Sequence, residues 1–276
     1  MGSLQGVTMQ VTETFGDLFL VDMVDYGCPY FQDGRTATVE LVYPFEDQTR
    51  AYHRYLERGY CRSGPAWFAN RCRGCRECVP YRLAVGDFAP TKTQRRIFRR
   101  NADIDIRIVP SSDLDEEKLD LFRRYKIGRH AGNPEENVLE EAAQVHFGYP
   151  GTFQVLYRLD GKLIGVSVVD AAADALSAHC FYHDPDCANR GLGTFSAMTE
   201  IRLARELGKM WYYLGFFIDG IRNMRYKGHF GPASILNESG WVPFPGMSEH
   251  PQEREGSAEI PPDEARTIPG KEGKSE

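Results

Sequence analysis

Three clusters of residues in this 276-residue chain could do chemistry. The densest is Cys72-Arg-Gly-Cys75-Arg-Glu-Cys78, where two successive C-x-x-C steps bring three thiols toward a common point. A fourth sulfur from Cys28 or Cys61 would complete a set suited to Zn²⁺ or an iron–sulfur cluster. The plainer alternative is a turn of reduced, packed thiols. A second cluster follows at once: Lys92, Arg95, Arg96, Arg99 and Arg100. The four arginines fall at i, i+1, i+4 and i+5, so a helix would put them on one face with Ile97 and Phe98 opposite. Such a face either binds phosphates or is simply solvated. Arg62, Arg71, Arg73, Arg76 and Arg82 extend the same positive region, and Trp67, Phe68 and Tyr81 among them could stack on unpaired bases. The third cluster is Asp219, Arg222, Arg225, Tyr226, Lys227 and His229, just past an apolar run at 211–216 that reads as a strand. Ligands in open α/β sheets bind at such strand ends.

The elements that must position these groups can be read from periodicity. Thr36 to Tyr43 alternates like a half-buried strand, and 47–58 sets Ala51, Tyr52, Tyr55 and Leu56 on one helical face with Gly59 to stop it. From about 106 to 245 helices and strands alternate. Ser112-x-x-Asp115 resembles a capping box before Leu119, Phe122 and Tyr125, and Asn133-Pro-Glu-Glu136 reads as a helix start. Phe153–Leu159 and Leu163–Val169 read as strands joined at the turn dipeptide Asp160-Gly161. A third strand follows at Ala175–Tyr182, then an amphipathic helix over Phe195–Leu207. This order predicts an α/β (α+β) fold: a GNAT-like acyltransferase domain with a mixed sheet over 106–245, preceded by a smaller cysteine-containing region over 1–105. The turn Arg190-Gly-Leu-Gly-Thr194, between strand and helix, offers backbone N–H groups to an anion.

Composition narrows the class. The chain is 42% hydrophobic and 26% charged with a net charge of −6, so it reads as a soluble globular protein whose nucleic-acid site must be a local patch. Much of the negative excess lies in 246–276, where Glu249, Glu253, Glu255, Asp263 and Glu264 mix with four prolines; this stretch is expected to be a disordered acidic tail. No secretory leader and no apolar run long enough to span a bilayer are visible, which points to the cytoplasm and to a protein that does not enter membranes. The seven cysteines are then expected as thiols or metal ligands rather than disulfides.

Several stretches, collinear over roughly residues 15–245, resemble the aminoacyl-tRNA–protein transferases of the N-degron pathway, the bacterial leucyltransferase and eukaryotic arginyltransferase lineage. They are Cys28-Pro-Tyr30 with Gly34-Arg-Thr-Ala37, the Cys72–Arg82 cluster, Phe88-Ala-Pro90 with Arg95-Arg96, and Arg124-Tyr125 with Arg129-His130. Further along come Leu163–Asp170, Phe181–Asp186, Leu192-Gly-Thr-Phe195, and Tyr213-Leu-Gly215 followed by Met224-x-Tyr226-Lys227. The resemblance implies an enzyme that moves leucine or arginine from charged tRNA to the N-terminal amine of proteins starting with Asp or Glu. It implies no required cofactor, with an iron–sulfur cluster or zinc an option on Cys28, Cys72, Cys75 and Cys78. On this reading Lys92, Arg95, Arg96, Arg99 and Arg100 contact tRNA. Arg129, Lys227, Arg222 and Arg225 are candidates for the acceptor's carboxylate, and Tyr226 and Asp184 for catalysis. Asn223 and Gly231-Pro232 depart from the family pattern, which has Lys and Arg-Pro there. Two alternatives are an N-acetyltransferase using acetyl-CoA, whose usual R/Q-x-x-G-x-G/A spacing Arg190-Gly-Leu-Gly193 does not reproduce, and a non-enzymatic metal-bearing RNA-binding module, which would leave 106–245 without a role.

Overall fold

The computed structural model describes residues 10–14, 17–31, 33–44, 48–111, 113–129 and 137–247. The expected acidic tail from Ser248 onward and the expected helix start at Asn133–Glu136 lie outside these residues.

The chain begins with strands β1 (Gln10–Thr14), β2 (Asp17–Gly27) and β3 (Thr36–Pro44), then helix α1 (Gln48–Glu57), then strands β4 (Cys61–Ser63) and β5 (Ala66–Asn70). The strands form an antiparallel sheet in the order β1-β2-β3-β5-β4. As the spacing requires, Ala51, Tyr52, Tyr55 and Leu56 of α1 are all buried, and Gly59 follows at positive φ. They pack with Val42 and Trp67 of the small sheet and with Tyr149, Ala172 and Tyr213 from the second half of the chain. Val39, Leu41 and Phe68 pack instead with Phe216, Ile218 and Met224.

Strand β6 (Val79–Ala84) leaves this sheet and joins another. After helix α2 (Lys92–Arg100), strand β7 (Asp105–Pro110) and helices α3 (Glu116–Arg129) and α4 (Val138–His146) come strands β8 (Thr152–Leu159), β9 (Lys162–Ala171) and β10 (Ala175–His183). Helix α5 (Leu192–Glu206), strand β11 (Trp211–Phe217), the short helix α6 (Arg222–Arg225) and the hairpin β12 (Ala233–Asn237) and β13 (Gly240–Pro243) complete the described fold. The large sheet runs β13-β12-β6-β11-β10-β9-β8-β7. As expected it is a mixed sheet, antiparallel except where β10 runs parallel to β11. The large sheet therefore starts earlier in the chain than residue 106: β6 sits in its middle, between β12 and β11. An apolar face on a six-residue segment cannot reveal which of two sheets it will pair with.

Local signals behave as their chemistry dictates. Asp160 and Gly161 both take positive φ in the tight turn between β8 and β9. At the start of α3 the cap is Asp115 itself, whose side chain accepts from the Lys118 N–H at 2.9 Å. Two layers of helix cover the large sheet. Leu121, Phe122 and Tyr125 of α3 and Ala142 and Val145 of α4 pack on Val166, Val168 and Tyr182. Phe195 and Ile201 of α5, with Ile97 and Phe98 of α2, pack among Leu83, Tyr212 and Leu214.

One buried ion pair joins the two sheets. Arg62 on β4, with no exposed side-chain surface, donates from Nε and Nη2 to the Asp170 carboxylate on β9 at 2.7 and 3.1 Å. Its remaining N–H groups reach the carbonyls of Gly64, Val145 and Phe147. Asp170 also accepts from Thr152 Oγ1 at 2.7 Å and Tyr52 Oη at 3.2 Å. Beside it Gly148, at φ +102°, lies so close to the Gly64 backbone that a Cβ would come within 2.4 Å of it. Arg62 is therefore not part of a phosphate-binding surface. We expect Arg62→Met to lower unfolding free energy by about 3–5 kcal/mol, since it strands a buried carboxylate. Urea titrations of R62M, of Asp170→Leu and of the double variant should show the double losing less than the sum of the singles.

Candidate active-site cleft and its basic flank

The central feature of the large sheet is a split. Strands β10 and β11 pair only at Ala175, Leu176 and Ser177 against Trp211, Tyr212 and Tyr213. Beyond that point β10 stays with β9 as far as His183, and β11 stays with β6 as far as Phe217. Register shifts between Ala178 and Cys180 on one strand and between Tyr213 and Phe216 on the other mark where the arms part. Between them opens a cavity of roughly 360 Å³, within the range of small-ligand sites.

Its walls come from several parts of the chain, Tyr125 of α3 among them. The arms contribute Ala178, His179, Phe181, His183, Tyr212 and Leu214. The start of α5 contributes Gly191 to Thr194, with Gly191 as N-cap at φ +69° and no side-chain cap on the helix, so the first backbone N–H groups of α5 border the cavity. The segment after β11 contributes Arg222, Asn223, Met224, Tyr226 and Lys227, and Tyr30 comes from the N-terminal region. Glu200, two turns further along α5, completes the lining.

The expected site residues divide. Tyr226, Lys227 and Arg222 line the cavity. Lys227 is buried and donates from Nζ to the Phe216 carbonyl at 2.7 Å, which fixes its ammonium against the β11 arm. Arg225 is outside the lining and pairs with Asp219 at 3.2 Å. Arg129 ends α3, and its side chain lies outside the described residues. Asp184 also lies off the cavity, fully buried between Arg124 at 2.9 Å and Lys162 at 2.7 Å, where it caps the turn Pro185–Arg190. Burial alone would raise its carboxyl, but hydrogen bonds from Lys162, Arg124 and the Asp186 N–H outweigh that and hold it at about 2. A carboxylate held that acidic is a weak base at neutral pH, and both of its neighbours here are cations.

Sequence reasoning missed His179 and Glu200. Glu200 is 2% exposed; burial, only partly offset by hydrogen bonds from Ser167 and Tyr212, pushes its carboxyl up to about 7. Tyr212 Oη donates to Glu200 Oε2 at 2.7 Å. The signal was available: Ser196, Ala197, Leu203 and Ala204, the i±3 and i±4 neighbours of Glu200, are all buried, so an acid stands in the apolar stripe of a helix.

Helix α2 flanks this cleft. Thr91 and Gln94 form a reciprocal capping box, and Lys92, Arg95, Arg96, Arg99 and Arg100 are all exposed while Ile97 and Phe98 face the core. The helix is tied to segments that adjoin the lining on either side. Gln94 Nε2 donates to the His229 carbonyl at 3.1 Å, and Arg100 Nη1 to the Asn189 carbonyl at 2.8 Å. Asn101 Nδ2 donates to the Arg190 carbonyl at 3.1 Å. Arg71, Arg73 and Arg76 are also exposed and line a wider hollow on the small sheet with Arg35. Arg82 is not available to phosphate. Its guanidinium lies 3.8 Å from the Trp211 ring centroid and 4.1 Å from that of Trp241, and donates to Tyr213 Oη at 2.9 Å. Trp67, Phe68 and Tyr81 are buried in cores and cannot stack on bases.

Cys28, Cys72, Cys75 and Cys78 line one small void of about 10 Å³, room for about one water-sized sphere. Cys61 lies elsewhere, on β4. The thiols have protein partners: Thr38 N–H donates to Cys72 Sγ at 3.4 Å, and Arg35 Nη1 to Cys75 Sγ at 3.5 Å. Burial, then the like charge of Cys28, Cys72 and Cys75, pushes the Cys78 thiol well up. Among the described residues no cysteine is in a disulfide, and no group of three or more His, Cys, Asp or Glu side chains is arranged to hold a metal ion. No described helix is long and apolar enough to cross a membrane.

Residues 26–96 match the family described as arginine-tRNA-protein transferase, N terminus, and residues 117–237 match its C terminus. An aspartate/glutamate leucyltransferase of Chromohalobacter salexigens is 34% identical over 230 residues, covering 82% of this chain and 92% of that one. The proteins of the same description from Chromobacterium violaceum and Leptospira interrogans are 33% and 30% identical, covering 80% and 78% of this chain and 91% and 87% of theirs. The matched segments hold the cysteine run, the flanking strand β6, both arms of the cleft and α5 between them, and on that extent the chain belongs to the arginine-tRNA-protein transferase family.

Proposed function

We propose that this enzyme transfers leucine or arginine from charged tRNA to the α-amine of proteins beginning with Asp or Glu, with the cleft between β10 and β11 as the reaction site. The observation that carries the reading is the position of the basic helix. The five cations of α2 are exposed, and the helix is hydrogen-bonded to His229, two residues past Lys227, and to Asn189, two residues before Gly191 of the cavity lining. A tRNA backbone on α2 would bring its acceptor end to the mouth of the cleft.

The reaction asks little of a base. The donor is an activated ester, and an N-terminal amine with a pKa of about 7.7–8.0 is uncharged in roughly a tenth or more of molecules at neutral pH. The amine nitrogen attacks the ester carbonyl and a tetrahedral oxyanion forms. The ester C–O bond then breaks, and the terminal ribose hydroxyl leaves with the proton the amine gives up. Backbone N–H groups at the start of α5 and the Tyr226 hydroxyl are the candidate donors to the oxyanion. Arg222 and Lys227 are the candidates for the acceptor's side-chain carboxylate, the guanidinium supplying a paired contact. Arg129 stays with them as a candidate, while Arg225 would first have to leave Asp219.

The direct assay uses tRNAs charged with labelled leucine or arginine and peptides starting in Asp, Glu, Arg or Lys. We expect label on the Asp and Glu peptides only, and Arg222→Gln to raise the acceptor KM far more than the tRNA KM. Absence of transfer with every combination refutes the reading. For the tRNA surface, replacing both Arg96 and Arg99 by Ala should weaken tRNA binding and reduce the slope of log affinity against log salt by about 2. Fluorescence anisotropy across a salt series reads this directly, and an unchanged slope would take these two arginines off the interface.

For the cysteines, we propose no required metal, with a zinc ion or an iron–sulfur cluster on Cys28, Cys72, Cys75 and Cys78 as the option. Either would require Cys72 and Cys75 to turn from their present partners. Elemental analysis of the purified chain should give no stoichiometric zinc or iron, and transfer should persist in a Cys75→Ser, Cys78→Ser variant. Visible absorption from iron and sulfide would favour the cluster.

A further inference from the structure

The proposed reaction has no use for the most buried acid in the cleft. Glu200 lies on the cavity lining, 2% exposed, and its partners are hydroxyls: Tyr212 Oη at 2.7 Å and the side chain of Ser167. Among the described residues no ion pair reaches it. Buried acids are rare without a cation, and this one faces the space a substrate enters.

Position along α5 says which part of a substrate could meet it. The reacting ester belongs at the start of the helix, beside the uncapped N–H groups. Glu200 is eight residues beyond Leu192, about 12 Å along the axis. The α-ammonium of the donor residue is one bond from the carbon next to the reacting carbonyl and does not travel that distance. The far end of a long donor side chain covers about half of it, and the Glu200 side chain, leaning back toward the helix N-terminus, closes the rest. A leucyl side chain would bring only methyl groups against a buried carboxyl and leave the carboxyl without a counter-charge. A guanidinium would bring the cation, with N–H groups for the lone pairs that Tyr212 and Ser167 leave over.

We propose that Glu200 is the specificity-determining residue for the donor, anchoring a positively charged side chain at the inner end of the cleft, so that this enzyme takes arginyl-tRNA in preference to leucyl-tRNA. This rests on the aminoacyl-transfer reading and chooses between the two donors that reading allows. It also separates this chain from the relatives whose descriptions name leucine. Discrimination of this kind is strong because the wrong donor leaves a buried polar group unmatched.

The test compares kcat/KM for arginyl- and leucyl-tRNA with one Asp-starting peptide, in the full chain and in two variants. The wild type should favour arginine by tenfold or more. Glu200→Gln should lower arginyl transfer by about a hundredfold, mostly through KM, and leave leucyl transfer unchanged or raised. Glu200→Leu should reverse the preference. A wild type that prefers leucine, or a Gln variant that loses both donors alike while its melting temperature holds, or one that loses neither, overturns the assignment and leaves the transferase reading intact. If a variant does not fold, the wild-type ratio decides alone. A wild type that transfers from neither tRNA removes the assignment together with the reading beneath it.

Discussion

Arg62 and Asp170 carry the geometry of the rest. A guanidinium with no surface in water is held by a carboxylate on the large sheet and by the carbonyls that end α4, so three elements distant in sequence meet at one charge. The final carbonyls of a helix bear partial negative charge, and a cation there completes what the helix lacks. Desolvating such a pair is costly, and only a nearly complete set of hydrogen bonds offsets it. Thr152, Tyr52 and the carbonyl of Gly64 supply that set. With the small sheet fixed to β9 in this way, its apolar residues meet Phe216 and Met224, and the segment carrying Arg222 to Lys227 is pressed into the wall of the cleft.

The cleft itself is a consequence of β10 and β11 belonging to different neighbours. Each strand keeps its ladder with an antiparallel partner while the two lose each other after three pairs. The outer ladders continue past the split, interrupted only at His179 and at Leu214 and Gly215. The irregularities at Ala178 and near Phe216 absorb the divergence. A helix start, with its unsatisfied N–H groups, then borders the opening, and the basic helix α2 is hydrogen-bonded to the segments next to it at His229 and Asn189.

Charge alone is a poor guide to which arginines meet nucleic acid. Arg62 and Arg82 lie in the same positive stretch of sequence as Arg71, Arg73 and Arg76, yet one is locked in an ion pair and the other sandwiched between two indoles. The exposed cations are those on the outward face of a helix or around the hollow of the small sheet. The same holds for the aromatics: Trp67, Phe68 and Tyr81 are the filling of two packed layers. Family membership leaves the acetyl-CoA and RNA-module alternatives with no part, since both halves of the chain match one kind of transferase.

What the sequence determined by itself is whatever depends on near neighbours. The helical face of α1, the β8–β9 turn at Asp160-Gly161, the amphipathic α2 with its outward arginines, and the collinear family motifs all follow from spacing of a few residues. Tertiary structure decided the rest, because contacts between distant segments have no period to read. That β6 belongs to the large sheet, that Asp184 pairs with Arg124 and Lys162, and that Glu200 faces a cavity follow from contacts between segments that sequence spacing does not connect. The physical reason is the same in each case. Whether a charged side chain binds a ligand, caps a turn or closes a buried ion pair depends on what removes its water, and that is known only once the chain has packed.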